Sequence, residues 1–274
     1  MTVIVPSYIA KVSRAKKHLV ELEEAIERFA DSEPYAVRQG VEGKKNTKVW
    51  RLTFTRSPAD TDIPIIAADV IYNLRSSLDH LMSALVAKKN RNSAIFPVHF
   101  QGVWEPPKPG DDQQRLKLRA RWRSDTATMR PEAVAFLKGA QPPDDDGQDV
   151  EEANLLRVLN RWSNRDRHEK LPVIAPGLSI MLARITKGDG TQQLGLAKTP
   201  GWQPLRDAQP FFKDNARLAE VPEDAVKVEI KGAPSIAIGV GGPERYLGIP
   251  EHLHLTAKLI EQTIIPGLVP YVRA

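Results

Sequence analysis

The sequence predicts an α+β protein: a helical bundle with an inserted β-hairpin in its N-terminal part, then antiparallel strands plus a C-terminal helix. Three observations predict it. Apolar residues recur at helical spacing in several segments between Ser7 and Asp166. Short alternating runs take over from Leu171. Helices and strands come in blocks, not in the strand–helix alternation of a parallel sheet. Two regions follow: residues 1–175, mainly helical with a hairpin at 35–55, and residues 176–274, strand-rich with a C-terminal helix. The second is expected to pack on the first as one compact unit.

The elements read as follows. Ser7 to Ala30 carries Ile9, Val12, Leu19, Val20, Leu22 and Ile26 at helical spacing, with Ser7 as a candidate cap and Pro34 as a stop. In the hairpin, Tyr35 begins one arm, and Trp50, Leu52 and Phe54 alternate along the other. Pro64 to Ala87 is the strongest helix, its stripe formed by Ala67, Val70, Ile71, Leu74, Leu78, Leu81 and Leu85. Asp60 to Asp62 are candidate caps for it.

Residues 90–125 are less regular, with Ile95 to Phe100 extended. Met129 to Lys138 and Val150 to about Asp166 read as helices, separated by an acidic, proline-bearing loop. Ser179 to Ile185, Val226 to Ile230 and Ser235 to Val240 read as strands. Pro250 to Val272 reads as a helix that Pro266 breaks or kinks.

Composition narrows the function classes. The chain has 274 residues, 41% hydrophobic and 27% charged, which suits a folded core. No run approaches the roughly 20 apolar residues that span a bilayer. No leader pattern is read at the N-terminus, so a cytoplasmic location without membrane contact is expected. Cysteine is absent, which excludes disulfides, thiolate metal sites and a cysteine nucleophile. A net charge of +5 permits nucleic acid as a partner without requiring it.

Two polar constellations stand out. On the strongest helix, with Leu74 at zero and about 100° per residue, Asn73, Ser77 and His80 fall on one flank of the apolar stripe, with Asp69 close by. Arg75 and Asp79 fall on the other flank, four residues apart, and can pair. A histidine held by Asn73 or Asp69 suits acid–base work near neutral pH. The plainer reading is that these groups bond to neighbouring loops and fix the packing.

On the later helix, Leu155, Leu156, Val158, Leu159 and Trp162 form an inner face that reaches Asp166 one turn on. A core-facing carboxylate needs a partner; Arg75, His80 and Asn73 are the candidates. His168 follows at the helix end, with Arg165, Arg167 and Lys170 around it. Asp166 and His168 are thus expected to meet the first group across a helix contact. Their spacing is not diagnostic of a metal site, so no metal ligands are assigned and the cofactor is left unknown.

A third feature is the run Arg115, Lys117, Arg119, Arg121 and Arg123, with Trp122 inside it. Basic groups offer sequence-independent affinity for phosphates, and an aromatic ring can stack on a base. The alternative is a solvated charged face. Gly239 to Glu244 lacks the placement of a dinucleotide loop. His252 and His254 open a helix and point two ways.

Ala68 to Leu81, Phe96-Pro-Val98, Ala140 to Pro143 and Asp166 to Glu169 together resemble a family of uncharacterised bacterial and phage proteins. Those carry H-N-L-R-S-A-L-D-H-L, F-P-[IV], L-Q-P-Y and D-K-H-R in that order. Tyr72 stands where that family usually has histidine. The resemblance implies a bacterial or phage setting and no activity. A looser resemblance is to the HEPN ribonucleases, whose Arg-x4-6-His signature Arg75 to His80 satisfies. It implies RNA binding or RNA cleavage, with Arg75 on the phosphate and His80 as acid–base group. A regular helix would hold those two about 140° apart.

Three readings remain open on the sequence. They are an RNA-binding or RNA-cleaving protein, a non-enzymatic interaction module that can form a homo-oligomer, and a metal-dependent hydrolase using His80, Asp166 and His168.

Overall fold

The computed structural model describes residues 5–32, 34–42, 47–108, 110–142, 154–168, 171, 173–174, 181–186, 192–197, 210–213, 227–231, 236–238 and 247–273. Of residues 35–54 and most later strands it gives the backbone alone. The Gly239 to Glu244 stretch, the acidic loop after Pro142 and Lys170 lie outside the described residues.

The chain divides into two units, each discontinuous in sequence. One comprises Met1–Glu21, Ile65–Lys170 and Pro250–Ala274; the other comprises Leu22–Pro64 and Leu171–Ile249.

The first unit is helical, with no strand among its described residues. It takes the start of α1 (Ser7–Asp31), nearly all of α2 (Ile63–Leu85), then α3 (Gln113–Thr126), α4 (Pro131–Gly139) and α5 (Leu155–Asp166). The C-terminal segment supplies α6 (Ile249–Leu259) and α7 (Ile265–Leu268). The stripe on α2 is the core, with Val70, Ile71, Leu74, Leu78 and Leu81 all at 0% exposure. Trp162 of α5 and Leu253 and Ile260 of the C-terminal segment are buried as completely.

Local chemistry sets the helix ends. The Asp112 carboxylate accepts from Arg115 N at 2.7 Å and starts α3, and the Asn154 side chain accepts from Arg157 N at 3.0 Å and starts α5. Pro131 opens α4 at its first position, where the missing N–H costs nothing. The expected disturbance at Pro266 takes a definite form: a π-helical turn, Ile260–Ile264, directly precedes α7. That widening accommodates a residue with no N–H to donate and a ring that crowds the preceding turn. Gly267 lets α7 approach α4, since a Cβ there would collide with the Phe136 ring. Arg273 N donates to Ala84 O at 3.0 Å, which satisfies a carbonyl at the open end of α2.

In the second unit, Ser57 caps a 3-10 turn at Pro58–Asp60, and the Thr61 hydroxyl accepts from Ile63 N at 3.2 Å as α2 begins. Backbone ladders run antiparallel between Tyr35–Glu42 and Thr47–Phe54, and between Met181–Thr186 and both Gln192–Ala197 and Lys227–Lys231.

The α+β expectation is corrected. The part of the chain whose packing the structure defines is 72% helical and holds no sheet. The ladders lie outside that part. The physical reason is that short alternating runs carry a weak signal, because strand preference depends on what packs against the pleated face. The helical stripes each bury their own apolar face and define the core. A second departure is α3, where the Arg115 to Arg123 alternation conceals a regular helix. Among the described residues no helix is long and apolar enough to cross a membrane.

Candidate functional site

The inner flanks of α2 are polar and tightly bonded. Ser77, fully buried, donates to Tyr8 O at 2.7 Å. Asn73, at 7% exposure, donates from Nδ2 to Asp69 O at 2.8 Å and accepts from Lys11 Nζ at 3.4 Å. On the other flank Arg75 is 4% exposed; its Nη2 donates to Asp79 Oδ1 at 3.0 Å and to Phe96 O at 2.8 Å. Asp79 also accepts from Phe96 N at 2.9 Å. Residue 96 is thereby held at both its N–H and its C=O by one ion pair on α2.

Gln141 continues this clamp. It is 3% exposed, accepts from His99 N at 2.9 Å through Oε1, and donates from Nε2 to Pro97 O and Leu137 O, each at 3.1 Å. An extended segment can therefore cross the helical unit with its backbone satisfied by buried side chains rather than by a sheet.

The clamped segment forms one wall of a cavity of about 410 Å³. Arg75 lines it from α2, Arg121 and Asp125 from α3, Asn160 and Asn164 from α5, Arg167 from just beyond α5, and His99 from the segment itself. Arg121 and Arg167 are both electrostatic neighbours of Arg75. Burial pushes the Arg75 guanidinium below its ordinary value, Asp79 opposes this, and the positive charges of Arg167 and Arg121 add to the lowering. Burial, then Arg121 and Arg75, pushes the His99 imidazole down to about 4, so it is neutral near pH 7. Burial raises the Asp125 carboxyl against the pull of Arg121, whose Nε lies 3.5 Å from it. Two atoms in this lining are buried without a hydrogen-bond partner: Arg75 Nη1 and His99 Nε2.

The structure brings some of the expected residues together and separates others. Arg75, Arg121 and the end of α5 line one cavity, but Asp166, His168 and His80 are not among its lining residues. His80 and His168 are exposed. Since α2 is a regular helix through that stretch, Arg75 faces inward and His80 outward, and the two do not form one site. Asp166 is half-buried; burial and then the like charge of Asp69 raise its carboxyl. No three histidine, aspartate or glutamate side chains gather as metal ligands would among the described residues.

No family model, curated protein or solved structure matches the chain. The site therefore has to be read from its own chemistry.

The basic run is likewise divided. Arg119 and Trp122 are each 2% exposed. Arg119 bonds Asp111 at 2.8 Å and the carbonyls of Gly102 and Glu105, and Trp122 packs against Trp104 and edge-on to His99. The indole thus has no open face for a base, which corrects the expectation of a stacking ring. Arg123 Nε donates to Arg119 O at 3.3 Å, and Arg115 sits 4.8 Å over the Phe100 ring. Of the run, Arg121 lines the 410 Å³ cavity.

Sequence reasoning missed His99, Gln141 and Asn160. The signal for the first two lay in the short elements Phe96 to Val98 and Ala140 to Pro142, which were read as motifs and not as the two sides of one clamp.

Proposed function

We propose that the helical unit binds a phosphate-bearing ligand, with RNA as the ligand class, in the cavity shared by Arg75, Arg121 and Arg167. One observation carries the reading: a buried guanidinium keeps an unpartnered Nη1 beside two further arginines. A buried donor without a partner costs about 1–3 kcal/mol, and clustered like charges repel. An anion with several acceptor oxygens relieves both, and guanidinium groups match phosphate oxygens in pairs. The reading is of binding, not of cleavage by Arg75 and His80, since those two face apart.

Anisotropy of a short labelled RNA at low salt tests it. Arg121→Gln and Arg167→Gln are each expected to weaken binding about tenfold with unchanged melting temperature. Equal affinity in both variants and the parent protein would remove the reading.

A second reading, a purely structural polar network within an interaction module, draws on the bonds of Asn73, Ser77 and Arg75 Nη2. It accounts for those groups and leaves Arg75 Nη1, His99 Nε2 and Arg167 unused.

A further inference from the structure

α3 carries Arg121 and Asp125 on one face, one helical turn apart, and both line the cavity described above. Among the described residues of that lining, Asp125 is the one carboxylate. It is half-buried, and its Oδ2 lies 3.5 Å from Arg121 Nε. A carboxylate in a cavity that gathers arginines opposes the very anion those arginines invite.

Among the described residues, little offsets the cost of that charge. Asp125 lies in the last turn of α3, where the helix dipole disfavours a negative group. Burial raises its carboxyl against the pull of Arg121. The ion pair places the cation before the anion, the weaker order along a helix, and the Arg121 side chain is 53% exposed, so the pair adds little stability. A carboxylate with these costs and so weak a bond gains most when a hydrogen-bond donor arrives beside the anion.

We infer that Asp125 is the residue by which this site prefers RNA to DNA: with a strand's phosphate held on Arg121, the Asp125 carboxylate accepts a hydrogen bond from the adjoining ribose 2′-hydroxyl. The inference rests on the phosphate-binding reading above and adds to it what selects the sugar. Because Arg121 and Asp125 are themselves in contact, the donor has to lie directly beside the phosphate. The 2′-hydroxyl does, on the carbon next to the one that bears the 3′-phosphate, whereas the amino groups of the bases stand a sugar away. A backbone diester brings no proton of its own at neutral pH. Deoxyribose therefore gives Asp125 nothing to accept and leaves its charge facing the phosphate, which turns the carboxylate into a discriminator between the two sugars.

Anisotropy of a short labelled uridine oligonucleotide, its deoxyuridine counterpart and a 5′-phosphorylated form of that DNA, at one low ionic strength, tests this. The RNA is expected to bind about tenfold tighter than either DNA, as one hydrogen bond to a charged group provides. Asp125→Ala is expected to bring RNA and DNA within about twofold of each other, with DNA bound at least as tightly as by the parent protein, because a like charge has gone. Thermal melts show whether that variant keeps its fold. If it does not, Asp125→Asn carries the comparison, with the preference reduced to about threefold, since a carboxamide oxygen accepts a weaker, neutral bond. DNA as tight as RNA on the parent protein, a preference that survives Asp125→Ala, or DNA that binds that variant more weakly overturns the inference and leaves the phosphate-binding reading standing. 5′-Phosphorylated DNA equal to the RNA overturns it too, by making a phosphate's own proton the donor. No binding of any strand overturns both.

Discussion

His99 and His252 are alike in burial chemistry and opposite in setting. Each imidazole is pushed down to about 4, and each has an Nε2 without a partner. His252, on α6, is 4% exposed and stands edge-on to Trp162 at 5.0 Å, and the indole Nε1 is also unpartnered. Burial alone lowers it. His99 is lowered by burial and then by Arg121 and Arg75, and it borders a cavity. The same depressed value therefore has two meanings. Desolvation without charge marks a packing position, whereas desolvation beside cations marks a place where an arriving anion would reverse part of the shift.

The contrast breaks most forcefully at Arg75. Arg75→Met removes a buried cation, strands Asp79 and frees the carbonyl of Phe96. A loss of about 3 kcal/mol is expected in denaturant unfolding, and a loss below about 1 kcal/mol would show that the clamp is not what holds residues 96–99.

Acid sharpens the contrast next. In the unfolded chain each imidazole takes up a proton below pH 6.5, while in the folded chain each resists down to about 4. The unfolded state binds more protons across that window, so stability is full above pH 6.5 and falls as the pH drops towards 4. Phosphate is expected to raise the NMR titration midpoint of His99 by about one pH unit and to leave His252 unmoved. Equal movement of both, or of neither, would erase the distinction.

The smallest effect belongs to His252→Leu. It removes an unsatisfied polar atom from an apolar site of similar volume, so stability is expected to change by less than about 1 kcal/mol at pH 7, with the acid loss reduced. A large loss at pH 7 would show His252 to be more than packing.

How much of this was legible in the sequence depends on the residue. The α2 stripe was plain, because seven apolar residues at helical spacing admit one face. Ser77 on the stripe's flank was equally plain as a buried group in need of a partner, and it has one in Tyr8 O. The Arg115 to Arg123 segment was not. Arginine reads as a surface residue, so a helix whose buried positions include Arg119 shows no apolar stripe, although Asp111 and two carbonyls satisfy that guanidinium inside the fold. For His99 the only signal was the neighbouring element Phe96 to Val98, and nothing local to it tells of Arg121 and Arg75, which act on it across space.

Backbone periodicity is a local property, and so the order of residues was enough to place α1, α2, α4 and α5 and to show which face of α2 turns inward, although Ile9 and Val20, read into the α1 stripe, are exposed. The environment of a charge depends on what stands across space from it. The joining of Arg75 to a carbonyl 21 positions later and the gathering of Arg121 and Arg167 beside it were therefore decided by tertiary packing alone.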